Sequence, residues 1–388
     1  MIVPIFFLKD HMLSTIKNYL HLPLVMRAQL GQNLRSLISK AGAKGGSKMK
    51  KLSLILILIV SVCLLFSGVS LAKSFTIGLS NGWVGSEWRT QMIDEAKAAA
   101  AKWQKEGVEI KVIVQSSNVD VQGQIAHVRN FINQGVDAII INPNSPTAFN
   151  PVFRQAKRQG IIVVSTDAEV SSKDAIYVGI DQKAWAMKSA RWLSATLNGK
   201  GKVVAINGVA GHPANQMRVE GYREVFSKYK GIELLNEVNA NWDQAQGQQA
   251  MQNLLATYPG IDGVWVQDGM AAGAWRAILT EGRTNIAATG EIRKDFLETW
   301  KTKNLNSGAS VNPPGCMASA LNVTVHLLLG KEFNKPLSDG KYGNALYIPI
   351  PFIDSNNFDQ AYQQVQGKPG HYSVSESLTI SEAAAYFK

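Results

Sequence analysis

The stretch GVDAIIINPNSPTAFNPVFRQAKRQGIIVVSTDAE, residues 135–169, constrains the fold more than any other part of the chain. Residues 136–141 form a nearly unbroken apolar run and 161–164 a second, with Ala148, Phe149, Val152, Phe153 and Ala156 at helical spacing between them. Two β-rich runs joined by one amphipathic helix predict a βαβ unit, and strands this apolar need cover on both faces. Asn142-Pro143-Asn144-Ser145-Pro146 follows the first run and Ser165-Thr166-Asp167 the second. Polar side chains at the carboxyl ends of neighbouring parallel strands face the crevice where open α/β sheets bind ligands. Taken alone, the same residues also suit solvated turns.

The rest of the body repeats this cadence. Strands are expected at 74–79, 109–114 and 176–180, with helical faces through Met92, Ala96, Ala99 and Trp103 and through Ile125, Val128 and Ile132. After Asp181 the series restarts, with strands at 202–206, 233–238, 263–266 and 286–288 separated by helices. Two such series predict an α/β protein of two doubly wound parallel-sheet lobes, each with right-handed crossovers. The chain is expected to cross between lobes near Gly179, near Thr289 and in the late loop, a three-crossing hinge. The expected divisions are 73–179 as N-terminal lobe, 180–289 as C-terminal lobe, and 290–315 as a return into the N-terminal lobe. Residues 316–345 then supply a helix and a crossing back, and 346–388 a hinge strand and C-terminal extension.

The 388 residues carry a formal charge of +11, which hints at a polyanion until it is located. Nine Lys or Arg against Asp10 alone fall in residues 1–72, which leaves +3 on the remainder and no call for nucleic acid. Within that basic segment, Lys48-Met49-Lys50-Lys51 precedes an apolar run ending in Ser70-Leu71-Ala72. A positive flank, an apolar core and small residues two apart are the parts of a secretory signal peptide, here 49–72, cleaved near Ala72. An uncleaved membrane anchor is the alternative, since the run is just long enough to span a bilayer. Residues 1–48 read as a leader or a misassigned upstream start. Past the leader only Cys316 remains, so no intramolecular disulfide is expected.

Enzyme motifs are tested and set aside. Asn207-Gly208-Val209-Ala210-Gly211 lies between strand and helix but lacks the full dinucleotide fingerprint, and no phosphate-binding loop or nucleophile elbow is present. His127, His212, His326 and His371 are scattered singly, so no metal or cofactor is expected. The inferred crevice instead offers planar polar groups beside aromatics. Asn81, Trp83, Trp88 and Arg89 follow the first strand, and Asn142, Asp167, Arg218, Gln267, Asp268, Glu291 and Asn312 stand at or just after later strand ends or in the first turns of the following helix. Such a set matches a small polyhydroxylated ligand, each of whose hydroxyls needs a partner once buried. Singly, each residue also suits a turn or cap, and the tryptophans suit packing.

In IGLSNGWVGSEWR, GVDAIIINPNSPTA, IIVVSTDA, VVAINGVAGHPANQMRVEGYREVF, MQNLLATYPGIDGVWVQDGMAAGAWRAI and SVNPPG, the chain resembles the ribose-type (type I) periplasmic sugar-binding proteins of ABC importers, over roughly residues 73–351. The resemblance implies a monomeric periplasmic protein that captures a monosaccharide or sugar alcohol between two lobes and delivers it to an inner-membrane ABC permease. It also implies contacts from Asn81, Trp83, Asn142, Asp167, Arg218, Gln267 or Asp268, Glu291 and Asn312. Departures weigh against ribose itself: Asp167 is followed by Ala168 where the family often has Arg, Gln267-Asp268 replaces Asn-Asp, and Glu291 stands where Asp is common.

The rival readings are a sugar-sensing partner of a membrane chemoreceptor and an enzyme on a small sugar or polyol using Asp167 or Glu291. A carboxylate pair alone does not make a glycosidase, which needs a set separation and a raised acid pKa. The leader reading is checked by N-terminal sequencing of the protein from its natural cell. A start at or near Lys73 is expected, and a retained 49–72 segment would mean an anchored form.

Overall fold

The computed structural model describes residues 73–388, so the signal peptide and leader expected at 1–72 lie outside the described residues. The first series is β1 (Lys73–Asn81), α1 (Glu87–Lys105), β2 (Val108–Ser116), α2 (Val121–Asn133), β3 (Ala138–Asn142), α3 (Asn150–Arg158), β4 (Ile162–Ser165) and β5 (Ile176–Gly179). The second is α4 (Gln182–Thr196), β6 (Lys200–Asn207), α5 (Pro213–Phe226), β7 (Gly231–Asn239), α6 (Gln244–Thr257), β8 (Gly263–Val266), α7 (Ala271–Thr280), β9 (Ala287–Thr289), α8 (Lys294–Lys303) and β10 (Ser307–Ser310). There follow α9 (Cys316–Leu328), β11 (Ala345–Tyr347), β12 (Phe352–Ile353), α10 (Phe358–Val365) and α11 (Ile380–Ala384).

These elements build two six-stranded sheets, ordered β11-β5-β4-β3-β1-β2 and β12-β10-β9-β8-β6-β7. All pairings are parallel except β10 with β12. Strand alternation explains the unbroken apolar runs. Ala138 and Ile140 of β3 join the core under α1 and α9, whereas Ile139 and Ile141 join the core under α2 and α3. In β6, Val203 and Ala205 likewise face one core while Val204 and Ile206 face another. Each sheet is therefore covered on both faces, as its hydrophobic composition demands.

The strand order places a switch point between β1 and β3, where the chain runs outward in opposite directions. Asn81 and Asn142 are direct partners there, at the last residues of the two strands. The corresponding ends of β6 and β8 lead into Gly208 and Gln267. Asp120, Asp181 and Asp243 start α2, α4 and α6 by accepting backbone N–H bonds.

The late connections differ from the sequence expectation. Residues 290–315 do not return to the first lobe: α8 and β10 continue the second, with Ser307 paired to Ala288. No crossing occurs near Thr289. A three-residue β9 of Ala-Ala-Thr carries too little apolar signal to be told from a lobe exit, and Ser-Gly-Ala-Ser in β10 is equally small. Gly308 is required there, because a Cβ would lie 2.5 Å from the Trp192 ring. The chain changes sheet between Gly179 and Gln182, between Ser310 and Cys316, and between Tyr347 and Phe352. Among the described residues no helix is long and apolar enough to cross a membrane.

Phe131 of α2 is fully buried, and its ring lies where a Cβ on Gly78 would be, 2.6 Å away. Phe131→Ala should therefore lower folding stability by about 3–5 kcal/mol, measured by urea unfolding. A loss below about 1 kcal/mol would mean that the first lobe's outer core collapses without cost.

Candidate ligand site between the lobes

Asp167 sits just beyond β4 with φ 63, the left-handed region that side chains other than Gly enter at a cost. Three amides reward that placement. Asn142 Nδ2 donates to Asp167 Oδ2 at 3.0 Å, while Gln182 Nε2 and Asn312 Nδ2 donate to Oδ1 at 3.2 and 3.1 Å. Arg89 Nη2 lies 4.0 Å from the same carboxylate, and Arg89 Nη1 donates to Asn81 Oδ1 at 2.7 Å. Burial lowers the Arg89 pKa against the pull of Asp167, but a guanidinium starts high enough to stay charged.

The second lobe answers with Arg218. Its Nη1 donates to Asp268 Oδ1 at 2.6 Å and its Nε to Gln182 Oε1 at 2.8 Å, with the guanidinium 4.0 Å over the Trp185 ring. Gln182 thus holds Asp167 through one end of its amide and Arg218 through the other. Glu291 pairs with Arg293 at 2.7 Å. Burial raises the pKa of both Asp268 and Glu291, opposed by Arg218 and Arg293 respectively.

One cavity collects these groups. Its walls include Trp83, Trp88, Arg89 and Asp167 from the first lobe, Arg218, Asp268, Glu291 and Arg293 from the second, and Asn312 from the connection between them. Eight of the sequence-derived residues are on this wall. The other three, Asn81, Asn142 and Gln267, are not: they are fully buried behind it, and each makes a side-chain amide hydrogen bond to a neighbour. Asn81 orients Arg89, Asn142 orients Asp167, and Gln267 accepts from Trp242 Nε1 at 2.8 Å.

Trp242, Arg293 and Ser373 line the cavity and were missed from sequence. Trp242 follows the carboxyl end of β7, the same strand-end signal used elsewhere. Consecutive left-handed residues, Asn241 at φ 55 and Trp242 at φ 54, turn its ring inward. A Cβ on Gly208 would lie 2.1 Å from that ring, which explains the glycine after β6 without any phosphate loop. Three wall atoms are buried with no partner in hydrogen-bonding geometry: Glu291 Oε2, Asn312 Oδ1 and Ser373 Oγ.

Cys316 is free and buried, and desolvation pushes its thiol well up, which leaves it un-ionised. Among the described residues no cluster of His, Cys, Asp or Glu could hold a metal ion. The three arginines and three carboxylates on the wall give it a formal charge of zero.

This arrangement, two parallel-sheet lobes joined by three passages with a polar cavity between them, defines a ligand-binding protein of the type I periplasmic class. A sequence profile of the periplasmic binding protein domain matches residues 77–332, and the chain belongs to that family. It is 30% identical over 260 residues to a xylitol-binding protein of Mycolicibacterium smegmatis, covering 66% of this chain and 72% of that one. It is 28% identical over 269 residues to the ribose import binding protein of Bacillus subtilis, covering 69% and 86%. The crystal structure of an ABC transporter solute binding protein from Thermobispora bispora matches with a TM-score of 0.70 and 26% identity, over 80% of this chain and 94% of that one. Both curated relatives are named as binding proteins, and the chain shares their periplasmic binding protein domain.

His212, the N-cap of α5, accepts from Ala214 N–H through Nδ1 at 3.3 Å and stands edge-on to Trp242 at 4.9 Å. Desolvation first, then Arg89, pushes its pKa down to about 3. The unfolded chain therefore binds the extra proton from about pH 6.5 downward, and stability falls as pH drops through that window toward 3. His212→Asn keeps a capping side chain and should remove about 1 kcal/mol per pH unit of that dependence between pH 6 and 5. Denaturant unfolding at the two pH values checks this; parallel pH slopes would contradict it.

Proposed function

We propose that the protein captures a neutral monosaccharide or sugar alcohol in the periplasm and presents it to an inner-membrane ABC permease. At the coarser level it is a periplasmic sugar-binding protein associated with ABC transport. The observation that carries the finer reading is the combination of zero formal wall charge with unpaired buried acceptors. Glu291 Oε2 and the Asn312 amide oxygen can only accept while Glu291 is ionised, so the ligand must donate. Hydroxyls do so and a carboxylate anion does not. The relatives named for xylitol and for ribose support a small polyol or pentose. Trp83, Trp88 and Trp242 supply the apolar ring faces on which the C–H face of such a ligand rests.

The same wall gives a mechanism for capture. Trp88 Nε1 donates to the Asn312 carbonyl at 2.8 Å, and Asn312 in turn reaches Asp167, so first-lobe wall groups are tied to the connection that leads into the second lobe. A ligand touching Arg89 and Asp167 on one side and Arg218 and Asp268 on the other adds free energy only to the closed arrangement, and so shifts the population toward it.

Arg218→Ala removes a cavity guanidinium and strands Asp268. By the usual cost of losing a charged hydrogen-bonding group, roughly 2–4 kcal/mol, affinity should fall roughly 30- to 1000-fold. Replacing exposed Lys230 should change nothing. Thermal-shift screening of purified protein against sugars, polyols, sugar acids, amino acids and nucleosides, followed by calorimetry on both variants, tests the reading. Micromolar binding of an amino acid or nucleoside with no response to any sugar or polyol would reject it, and equal affinity in Arg218→Ala would remove Arg218 from the site.

A further inference from the structure

The family profile ends at residue 332, yet the cavity wall includes Ser373, in the C-terminal extension beyond it. That segment is stitched to both lobes. Toward the second lobe, Ser373 forms an antiparallel bridge with Arg293, Lys294 N–H donates to Tyr372 C=O at 2.9 Å, and Val374 N–H donates to Ile292 C=O at 2.9 Å. Toward the first lobe, the Gln91 amide of α1 clasps the Ser373 backbone. Gln91 Nε2 donates to Ser373 C=O at 3.0 Å, and Ser373 N–H donates to Gln91 Oε1 at 2.9 Å. Ser375 Oγ then donates to Glu95 at 2.7 Å, and Leu378 N–H donates to Ser319 Oγ at 2.9 Å.

The result is a strap that crosses from lobe to lobe at the rim of the cleft and fixes one residue on the cavity wall. Ser373 is 1% exposed, and its hydroxyl has no protein partner although its own backbone N–H and C=O are both bonded to Gln91. A buried hydroxyl left unpaired on a polar cavity wall is costly unless something in the cavity completes it. Its neighbours on the wall, Glu291 and Arg293, occupy the adjacent loop that the strap pairs with.

We infer that Ser373 is a ligand-contacting residue: the C-terminal strap completes the site and reads one hydroxyl of a neutral polyol through Ser373 Oγ. This rests on the polyol-binding reading above. It assigns the extension a part in selectivity that the matched domain alone does not contain. The strap also ties this contact to closure, because Ser373 is held in place only while Gln91 and the 292–294 loop are both near it.

Calorimetry with xylitol, D-ribose and myo-inositol, and with their monodeoxy analogues, tests the assignment on wild type, Ser373→Ala and Ser373→Thr. Loss of one neutral hydrogen bond lowers affinity roughly 3- to 12-fold, so Ser373→Ala should bind the parent ligand that much more weakly, and Ser373→Thr should retain most of it. For one deoxy analogue wild type and Ser373→Ala should bind equally, since its missing hydroxyl is the one Ser373 reads. Equal parent affinity in wild type and Ser373→Ala overturns the inference. So does an equal loss for parent and every deoxy analogue, which marks a distortion of the strap. If wild type binds none of these three compounds and no other sugar or polyol of the thermal-shift screen, the functional reading fails and this inference falls with it.

Discussion

The carboxylate of Asp167 is the point on which the site depends. It hangs from a left-handed residue at the end of β4 and takes hydrogen bonds from the end of β3, from the first turn of α4 and from the segment after β10. Those three donors belong to a strand of the first sheet, the first passage between lobes and the end of the second sheet. A single buried anion thus gathers both lobes, and its charge is balanced by Arg89 rather than by solvent. Removing any donor leaves part of a buried carboxylate unsatisfied, a larger cost than the worth of the bond itself.

Gln182 extends this control across the cleft. With one amide it orders Asp167 and Arg218, so the acid of one lobe and the base of the other are positioned together. Arg218 is further fixed by stacking on Trp185, whose own N–H is bound to Ser310 C=O at 3.0 Å. The polar wall is therefore largely preorganised before a ligand arrives, which cuts the ordering cost of binding. Three wall atoms are left unpaired, Glu291 Oε2, Asn312 Oδ1 and Ser373 Oγ, and we propose that a ligand completes them.

Much of this was legible in the chain because parallel strands announce themselves. Runs such as AIIIN and IVVS are apolar on both faces, and the residue that ends each run had to face the crevice. That logic reached Asp167, Arg218, Asp268, Glu291 and Asn312. It also reached Asn81, Asn142 and Gln267, yet could not tell a wall residue from the amide holding it, since both stand at strand ends. Trp242 escaped because its inward turn depends on two non-glycine residues in the left-handed region, which local preference disfavours. Ser373 escaped for a different reason: its partner Gln91 is 282 residues away, and nothing in a short serine-containing loop signals so distant a contact. The second lobe passage was misplaced because the strands there are too short and small to pattern, at Ala-Ala-Thr and Ser-Gly-Ala-Ser.

We propose that a wall of zero net formal charge, bearing unpaired acceptors, selects a ligand that donates hydroxyls and carries no charge. That selection is tested most directly by titrating the protein with a neutral pentose or pentitol and with the aldonate of the same carbon skeleton, at the same ionic strength. The neutral compound is expected to bind at least about tenfold more tightly, a difference of about 1.4 kcal/mol. An aldonate that binds as well or better would mean that the wall's arginines, and not its unpaired acceptors, decide what enters the cleft.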